Sequence, residues 1–248
     1  MLVRTEGIVL RTQRYGEADL IVTCLTSSSG IIKAFARGPR KTGSRFGSSL
    51  EPLTHARISL WGKEQSTPKI TQSDIINSFH HLRENLKDFI NMSKLIEILI
   101  SLIPEGIPNK RLFSFFLNTM NFMGSSGEKV KDTLYLISQI RLLSLLGYAP
   151  RLNGCGKCGT KSLDFYPSLG TILCNKCAIT PVVGKEPPLR VTVKVINFYS
   201  HSIRWPLYNS NRLKPPHKTI SELSYILDKH LNYLLGKKLM SSEFLAYV

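Results

Sequence analysis

Residues 7–36 read GIVLRTQRYGEADLIVTCLTSSSGIIKAFA, which are three apolar, β-branched runs separated by two turn signals. The runs GIVLRT, LIVTCLT and IIKAFA have the composition of strands, and YGEAD and TSSSG supply the small and polar residues of turns. A further strand-like run, RISLWG, follows at residues 57–62. Several short strands within residues 2–76 predict a small, strongly curved antiparallel barrel of the OB or SH3-like kind.

The spacing of the apolar residues changes near His80. Steps of three and four residues then predict amphipathic helices over residues 81–103, 110–123 and 128–147. Residues 218–239 predict another helix, which would pack back on these three. The segment LRVTVKVINFYSHS, residues 189–202, is compatible with either a helix or a strand.

Four of the five cysteines lie in CGKCGTKSLDFYPSLGTILCNKC, residues 155–177, as two C-x-x-C pairs with fifteen residues between them. Two such turns at this spacing are typical of a tetrahedral site with four thiolate ligands, which leaves no position for a catalytic water. We therefore predict one structural zinc ion, held by Cys155, Cys158, Cys174 and Cys177. Disulfides or free thiols are the alternative, and disulfides fit poorly with a chain in which we see no export signal. The fifth cysteine, Cys24, lies in the apolar run LIVTCL and is expected to be a small buried side chain.

The chain is strongly basic, with 33 Lys and Arg against 17 Asp and Glu and a formal net charge of +16. Such a charge indicates a polyanionic partner, with nucleic acid first and an anionic membrane second. The most apolar run, LIEILISLI at residues 95–103, is much shorter than a membrane span needs. We expect a cytoplasmic protein that does not bind membranes.

The positive charge is concentrated between residues 27 and 50, where no acidic residue occurs. Aromatic side chains nearby, Tyr15, Phe35 and Phe46, are candidates for base stacking, although Phe35 and Phe46 individually favour the core. The alternative is a solvated loop that keeps the protein soluble. The cations that we predict to contact DNA are Lys33, Arg37, Arg40, Lys41 and Arg45. A second and less specific basic zone contains Arg204, Arg212, Lys214, Lys218, Lys237 and Lys238.

Motifs of the common enzyme classes were not found, the six histidines are scattered and the acidic residues are dispersed. We therefore predict a protein that is not an enzyme. Two other functions stay open: an RNA-binding or ribosome-associated zinc-ribbon protein, and a metal-assisted nuclease, which would need clustered carboxylates.

The order of motifs resembles one known family. The turn YGEAD at residues 15–19, the glycine before the next strand and ARGPRK at residues 36–41 are similar to the opening of the RecO family of bacterial recombination mediators. The later stretches LLGYAPRLNGCGKCG, FYPSLGTILCNKC and LLGKKLMSSEFL extend the resemblance over nearly the whole chain. Residues 181–216 match no block of the family that we can place.

This resemblance implies an α+β protein in which an N-terminal OB-fold barrel precedes a helical domain with an inserted four-cysteine zinc-binding subdomain. The implied domains are residues 1–79 (OB fold), 80–150 and 182–248 (helical), and 151–181 (zinc-binding). It further implies a nucleoid-associated protein that binds single- and double-stranded DNA and anneals complementary strands. The implied protein partners are the C-terminal tail of single-strand-binding protein, RecR and, indirectly, RecA.

Overall fold

The computed structural model describes residues 2–62, 66–179, 186–205 and 213–241. The chain divides into two compact units, Met1–Ser125 and Ser126–Val248. The first contains a β-barrel and three helices, and the second contains three long helices and a small sheet beside the cysteines.

Five strands form the closed barrel: Leu2–Tyr15 (β1), Asp19–Thr26 (β2), Gly30–Ala36 (β3), His55–Trp61 (β4) and Lys69–Asn77 (β5). Their order around the barrel is β1-β2-β3-β5-β4, and β1 closes it by pairing with β4. All neighbouring pairs are antiparallel except β3 and β5, which are parallel. This is the five-stranded Greek-key barrel of an OB fold, so the predicted N-terminal fold is confirmed.

Strand β1 serves both sides of the barrel. Its first half, from Leu2 to Ile8, pairs with β4, and the stretch from Gly7 to Tyr15 pairs with β2. The register with β2 shifts between Val9 and Arg11. Such an irregularity increases the local twist of a strand. The added twist allows a long strand to bend and to pair with a different neighbour in each half.

The barrel interior is filled by the alternate residues of each strand. Its buried apolar cluster includes Val9, Val22 and Ile58, and Phe46 and Leu50 from the loop between β3 and β4 pack into it. Phe46 is only 3% exposed, which confirms the core interpretation of this ring. Cys24 is fully buried, as predicted, and burial raises the pKa of its thiol to about 12.

The first unit also contains three helices: His80–Glu84 (α1), Leu86–Leu102 (α2) and Lys110–Ser125 (α3). The sequence predicted one helix where the structure has α1 and α2. Asn85 separates them because its backbone is extended and its side-chain oxygen accepts a hydrogen bond from the Asp88 amide at 3.0 Å. An asparagine that caps a helix in this way starts a new helix although the apolar spacing continues.

The α-helices and strands of the described part of the second unit are Glu128–Leu145 (α4), Arg151–Cys155 (β6), Asp164–Tyr166 (β7), Thr171–Ile172 (β8), Asn175–Ala178 (α5), Leu189–Arg190 (β9), Val193–Arg204 (α6) and His217–Leu235 (α7). A short 3-10 helix, Pro167–Leu169, lies between β7 and β8. The small sheet has the order β6-β8-β7-β9. Helices α6 and α7 pack against α4 and against each other. Residues 189–202, which were compatible with a helix or a strand, lie mainly in helix α6. The Thr192 hydroxyl caps this helix by accepting a hydrogen bond from the Val195 amide at 3.4 Å.

The predicted α+β class, with an OB barrel, a helical region and a four-cysteine cluster, is confirmed. The three boundaries between the predicted domains stay a prediction. The two compact units divide the chain at a different place, after Ser125. Across the described residues, the helices are too short or too polar to cross a lipid bilayer.

Candidate metal centre and nucleic-acid interface

The four predicted metal ligands lie together in the second unit. The sulfurs of Cys155, Cys158, Cys174 and Cys177 all lie within 4.8 Å of one another, and those of Cys158 and Cys174 are 3.6 Å apart. Four thiolates at about 2.3 Å from one tetrahedral ion would have their sulfurs about 3.8 Å apart. The cluster therefore has the size of a four-thiolate metal site, and no pair among these cysteines is joined as a disulfide.

Local backbone geometry brings the two C-x-x-C turns face to face. Cys155 ends strand β6, and its carbonyl accepts from the Gly159 amide at 2.8 Å, which closes the first turn. The Cys174 carbonyl accepts from the Cys177 amide at 2.9 Å and closes the second. Gly156, in the first turn, lies close to strand β8, since a Cβ atom there would be 2.4 Å from the Thr171 hydroxyl oxygen. A residue without a side chain is what this close approach requires.

The acidities of the thiols differ within the cluster. Backbone hydrogen bonds, first from Cys158 and then from Cys174, lower the pKa of Cys155 to about 6. The side chain of Thr160, the largest cause, lowers the pKa of Cys158. In contrast, hydrogen bonds with Cys158 and then Cys174 raise the pKa of Cys177 to about 12. Negative charges packed this closely oppose one another, so a cation is needed before all four sulfurs can be thiolates.

The apolar support of this cluster is small. Tyr166 and Leu173 are buried against Cys155, and Leu169 and Ala178 are partly buried around them. Among the described residues this apolar cluster is small, so a metal ion bound to the four cysteines would add stability as a cross-link.

In the first unit, the predicted DNA-contacting cations are all exposed. Arg37, Arg40, Lys41 and Arg45 lie on the loop after β3, which folds back onto the turn between β1 and β2. The Gly38 amide donates to the Asp19 carboxylate at 2.7 Å, and the Arg40 guanidinium donates to the Glu17 carbonyl at 2.8 Å.

A row of outward side chains crosses the barrel beside this loop. In the cross-strand register Trp61 of β4 lies opposite Lys69 of β5, and Lys69 lies opposite Phe35 of β3. The Lys69 ammonium is 6.0 Å from the centre of the Trp61 ring. Tyr15, at the end of β1, meets Phe35 edge to face with ring centres 5.5 Å apart.

Phe35 and Lys69 of this row, together with cations of the basic loop, line a cavity of about 440 Å³. Its lining residues are Asp19, Phe35, Arg37, Arg45, Lys69, Ile70 and Thr71. Cations and exposed rings on one surface are the combination that holds phosphates and stacks bases. We call this surface the aromatic–cation face, defined by Tyr15, Phe35, Arg37, Arg45, Trp61 and Lys69.

Two family models match the chain in tandem. The model described as Recombination protein O N terminal matches residues 1–79, and Recombination protein O C terminal matches residues 83–243. The chain belongs to the RecO family.

Individual RecO proteins align with almost the whole chain. The protein named DNA repair protein RecO in Thermodesulfovibrio yellowstonii is 40% identical over 94% of this chain and 93% of its own length. Those of Pelotomaculum thermopropionicum and Acetivibrio thermocellus are 30% and 28% identical, each over 98% of this chain and over 93% and 96% of their own lengths.

Two members of the aromatic–cation face, Trp61 and Lys69, were not among the residues predicted to bind DNA. The sequence around these two residues gives only a weak indication of their position on this surface. Trp61 lies four residues after the exposed Arg57 on β4, so strand alternation places it on the outer surface. Lys69 is the first residue of β5 and is distant in sequence from the basic loop. Only the pairing of β5 with β3 and β4 brings it beside the other residues.

The second basic zone is distributed over the surface of the second unit. Arg204 ends α6, Lys214 and Lys218 lie around the start of α7, and Lys237 and Lys238 follow its end. All five are exposed, whereas Arg212 lies outside the described residues. These cations stand at several helix ends, in contrast to the grouped cations of the barrel loop.

Proposed function

We propose that this RecO-family chain is a DNA-binding mediator of recombinational repair that anneals complementary strands. Membership of the family supports a role in DNA repair and recombination. The aromatic–cation face is the observation that carries DNA binding. It combines a cavity lined by Phe35, Arg37, Arg45 and Lys69 with the Trp61 ring beside Lys69. The loops and strands of other OB-fold barrels bind oligonucleotides.

The proposed mechanism is electrostatic. Cations such as Arg37 and Arg45 hold phosphates and release counterions, so affinity should fall steeply with salt and depend little on sequence. Two strands held on one positive surface repel each other less, while base edges that face away from the protein remain free to pair. No covalent bond is made or broken, and the proposal therefore assigns no catalytic residue.

We further propose that the metal at the four cysteines is one zinc ion. Thiolate ligands in two C-x-x-C turns favour zinc, and four of them complete its coordination. When bound, zinc would supply a cross-link between the two turns. The cysteines would thereby hold β6 and α5 together, a role in folding and not in a reaction.

The protein partners are proposed from the family resemblance. With RecR, the chain would help to load RecA onto DNA coated by single-strand-binding protein, whose C-terminal tail it would contact. A protein with these partners would be found on the nucleoid.

The test is annealing of complementary oligonucleotides, bare and coated with single-strand-binding protein, with product lengths checked for cleavage. The proposal expects faster annealing on both substrates and products of full length. Shortened products would indicate a nuclease, and a preference for RNA with little effect on DNA would favour the RNA-binding alternative.

A further inference from the structure

The exposed rings of the barrel lie at two separate places on the aromatic–cation face. Trp61 is 53% exposed at the end of β4, and Tyr15 is 56% exposed at the end of β1. Side chains of this size are usually buried when a fold needs them for its core, and here the core is complete without them. Their exposure therefore points to a ligand with flat apolar surfaces.

The spacing of these rings is set by the strand register. Trp61, Lys69 and Phe35 occupy successive strands in one cross-strand row. Neighbouring strands are about 4.8 Å apart, so Trp61 and Phe35 are separated by about 10 Å with Lys69 between them. Tyr15 extends the Phe35 end of the row through their edge-to-face contact. The row thus presents ring, cation and ring, in that order.

This order matches the chemistry of an unpaired nucleic-acid strand. A single strand offers base faces that alternate with phosphates, so one base can lie on Trp61, a phosphate on Lys69 and another base on the Tyr15–Phe35 pair. A duplex offers phosphates and base edges but no base faces, because each face is covered by its neighbour in the stack. Rings and cations should therefore contribute differently to the two kinds of DNA.

We infer that Trp61 and Tyr15 are base-stacking platforms that serve single-stranded DNA alone, whereas the cations of the same face serve both single strands and duplex. This inference rests on the proposed function, since it concerns how the DNA-binding face distinguishes its substrates. A protein partner is the competing occupant, because exposed Trp, Tyr and Arg are also common at the centres of protein interfaces.

The chain contains two tryptophans, Trp61 and Trp205, which allows a direct optical test. In Trp205→Phe the emission of the protein comes from Trp61. We expect oligo(dT) to quench this emission and a duplex of the same length to leave it nearly unchanged at saturation. Trp61→Phe is the matched control, whose remaining emission should respond to neither DNA. Because Trp61 itself is intact in the first variant, the readout does not depend on how an alanine variant folds.

Affinities give the second measurement. Trp61→Ala and Tyr15→Ala should each weaken binding of oligo(dT) by about fivefold or more, the lower end of what one base stack contributes, with duplex affinity within twofold of the parent. Arg37→Glu should lower the affinity for both oligo(dT) and duplex. Fluorescence anisotropy with labelled DNA at one fixed salt concentration measures all three variants.

The inference and the proposed function fail differently. The stacking inference is wrong if the parent binds DNA but the emission of Trp61 does not respond. It is also wrong if the alanine variants lose affinity equally for both DNAs, or lose affinity for neither. In these cases DNA binding itself stands. If the parent binds neither DNA, the proposed function itself is wrong.

Discussion

The Nζ atom of Lys33 lies 2.5 Å from Oε1 of Glu105. This ion pair joins β3 of the barrel to the segment between α2 and α3. The same segment donates from the Gly106 amide to the Ile31 carbonyl at 2.8 Å. Lys33 therefore differs from the other predicted DNA contacts, because a carboxylate already neutralises its charge.

We expect Glu105→Gln to strengthen DNA binding slightly. Removal of the carboxylate frees Lys33 for a phosphate, which would steepen the salt dependence on single strands by at most about 0.7 in the log–log slope. Anisotropy titrations over a salt series measure this slope. Adding Lys33→Ala should abolish the gain, and an equal gain without Lys33 would show that this lysine does not contact DNA.

Reversing charge on the loop after β3 should have the largest effect on DNA binding. Changing Arg37, Arg40 and Lys41 together to Glu removes three exposed cations and should flatten the single-strand salt slope by about 2. Annealing should fall in parallel, while thermal unfolding monitored by circular dichroism should change little because these side chains are exposed. The comparison is the double variant Lys237→Glu with Lys238→Glu. A larger loss of DNA binding in that variant would show that the main DNA-binding site lies in the second unit.

The five thiols should fall into two classes. Purified protein is expected to contain about one equivalent of zinc, and a chelator should then expose four thiols to a disulfide reagent. Cys24 should react only after denaturation, because it is fully buried and its pKa is raised to about 12. Metal analysis and thiol titration test both statements. Protein purified without chelator that holds no zinc and presents four free thiols would contradict the metal assignment.

His230 is expected to stabilise the second unit. It is buried, with Nδ1 3.0 Å from the Pro167 carbonyl oxygen and Nε2 3.0 Å from that of Tyr148. A neutral imidazole has one ring N–H, so His230→Ala would leave at least one of these carbonyls without its donor, at a cost of about 1–3 kcal/mol in the free energy of unfolding. Urea denaturation measures the change. The exposed His201 provides the control, and equal losses in the two alanine variants would argue against a special role for the buried ring.

Two glycines of the barrel separate backbone strain from steric clash. Gly16 and Gly30 both have positive φ, of 58° and 67°. A Cβ at Gly16 meets nothing within 4 Å, whereas at Gly30 it would lie 2.0 Å from the Ile107 carbonyl oxygen. Gly16→Ala should cost about 1–2 kcal/mol from the left-handed backbone alone. Gly30→Ala should reduce the free energy of unfolding by more than this in the same denaturation assay. Equal losses would show that the backbone around Ile107 can move to accommodate the added methyl group.

Local patterns in the sequence were sufficient for much of this structure. Alternation predicted the barrel strands, and the spacing of Cys155 and Cys174 with their partners predicted a cluster that needs only two short turns. What escaped prediction depends on contacts distant in sequence. The ion pair of Lys33 with Glu105 and the row from Trp61 to Phe35 exist because of tertiary packing and strand register, which no single segment encodes. The break at Asn85 was missed for a different reason, since apolar spacing continues through a residue that caps a helix.

The double pairing of β1 also has a consequence for synthesis of the chain. Its N-terminal half cannot pair until β4, which begins at His55, has been synthesised. At about 5–20 residues per second, roughly 2–10 s of translation separate the two partners. During that interval β1, β2 and β3 can form a meander on the ribosome whose open edge is the stretch from Leu2 to Ile8. Arg4 and Glu6 place charges along that edge, and such charges discourage nascent chains from joining edge to edge before the barrel closes.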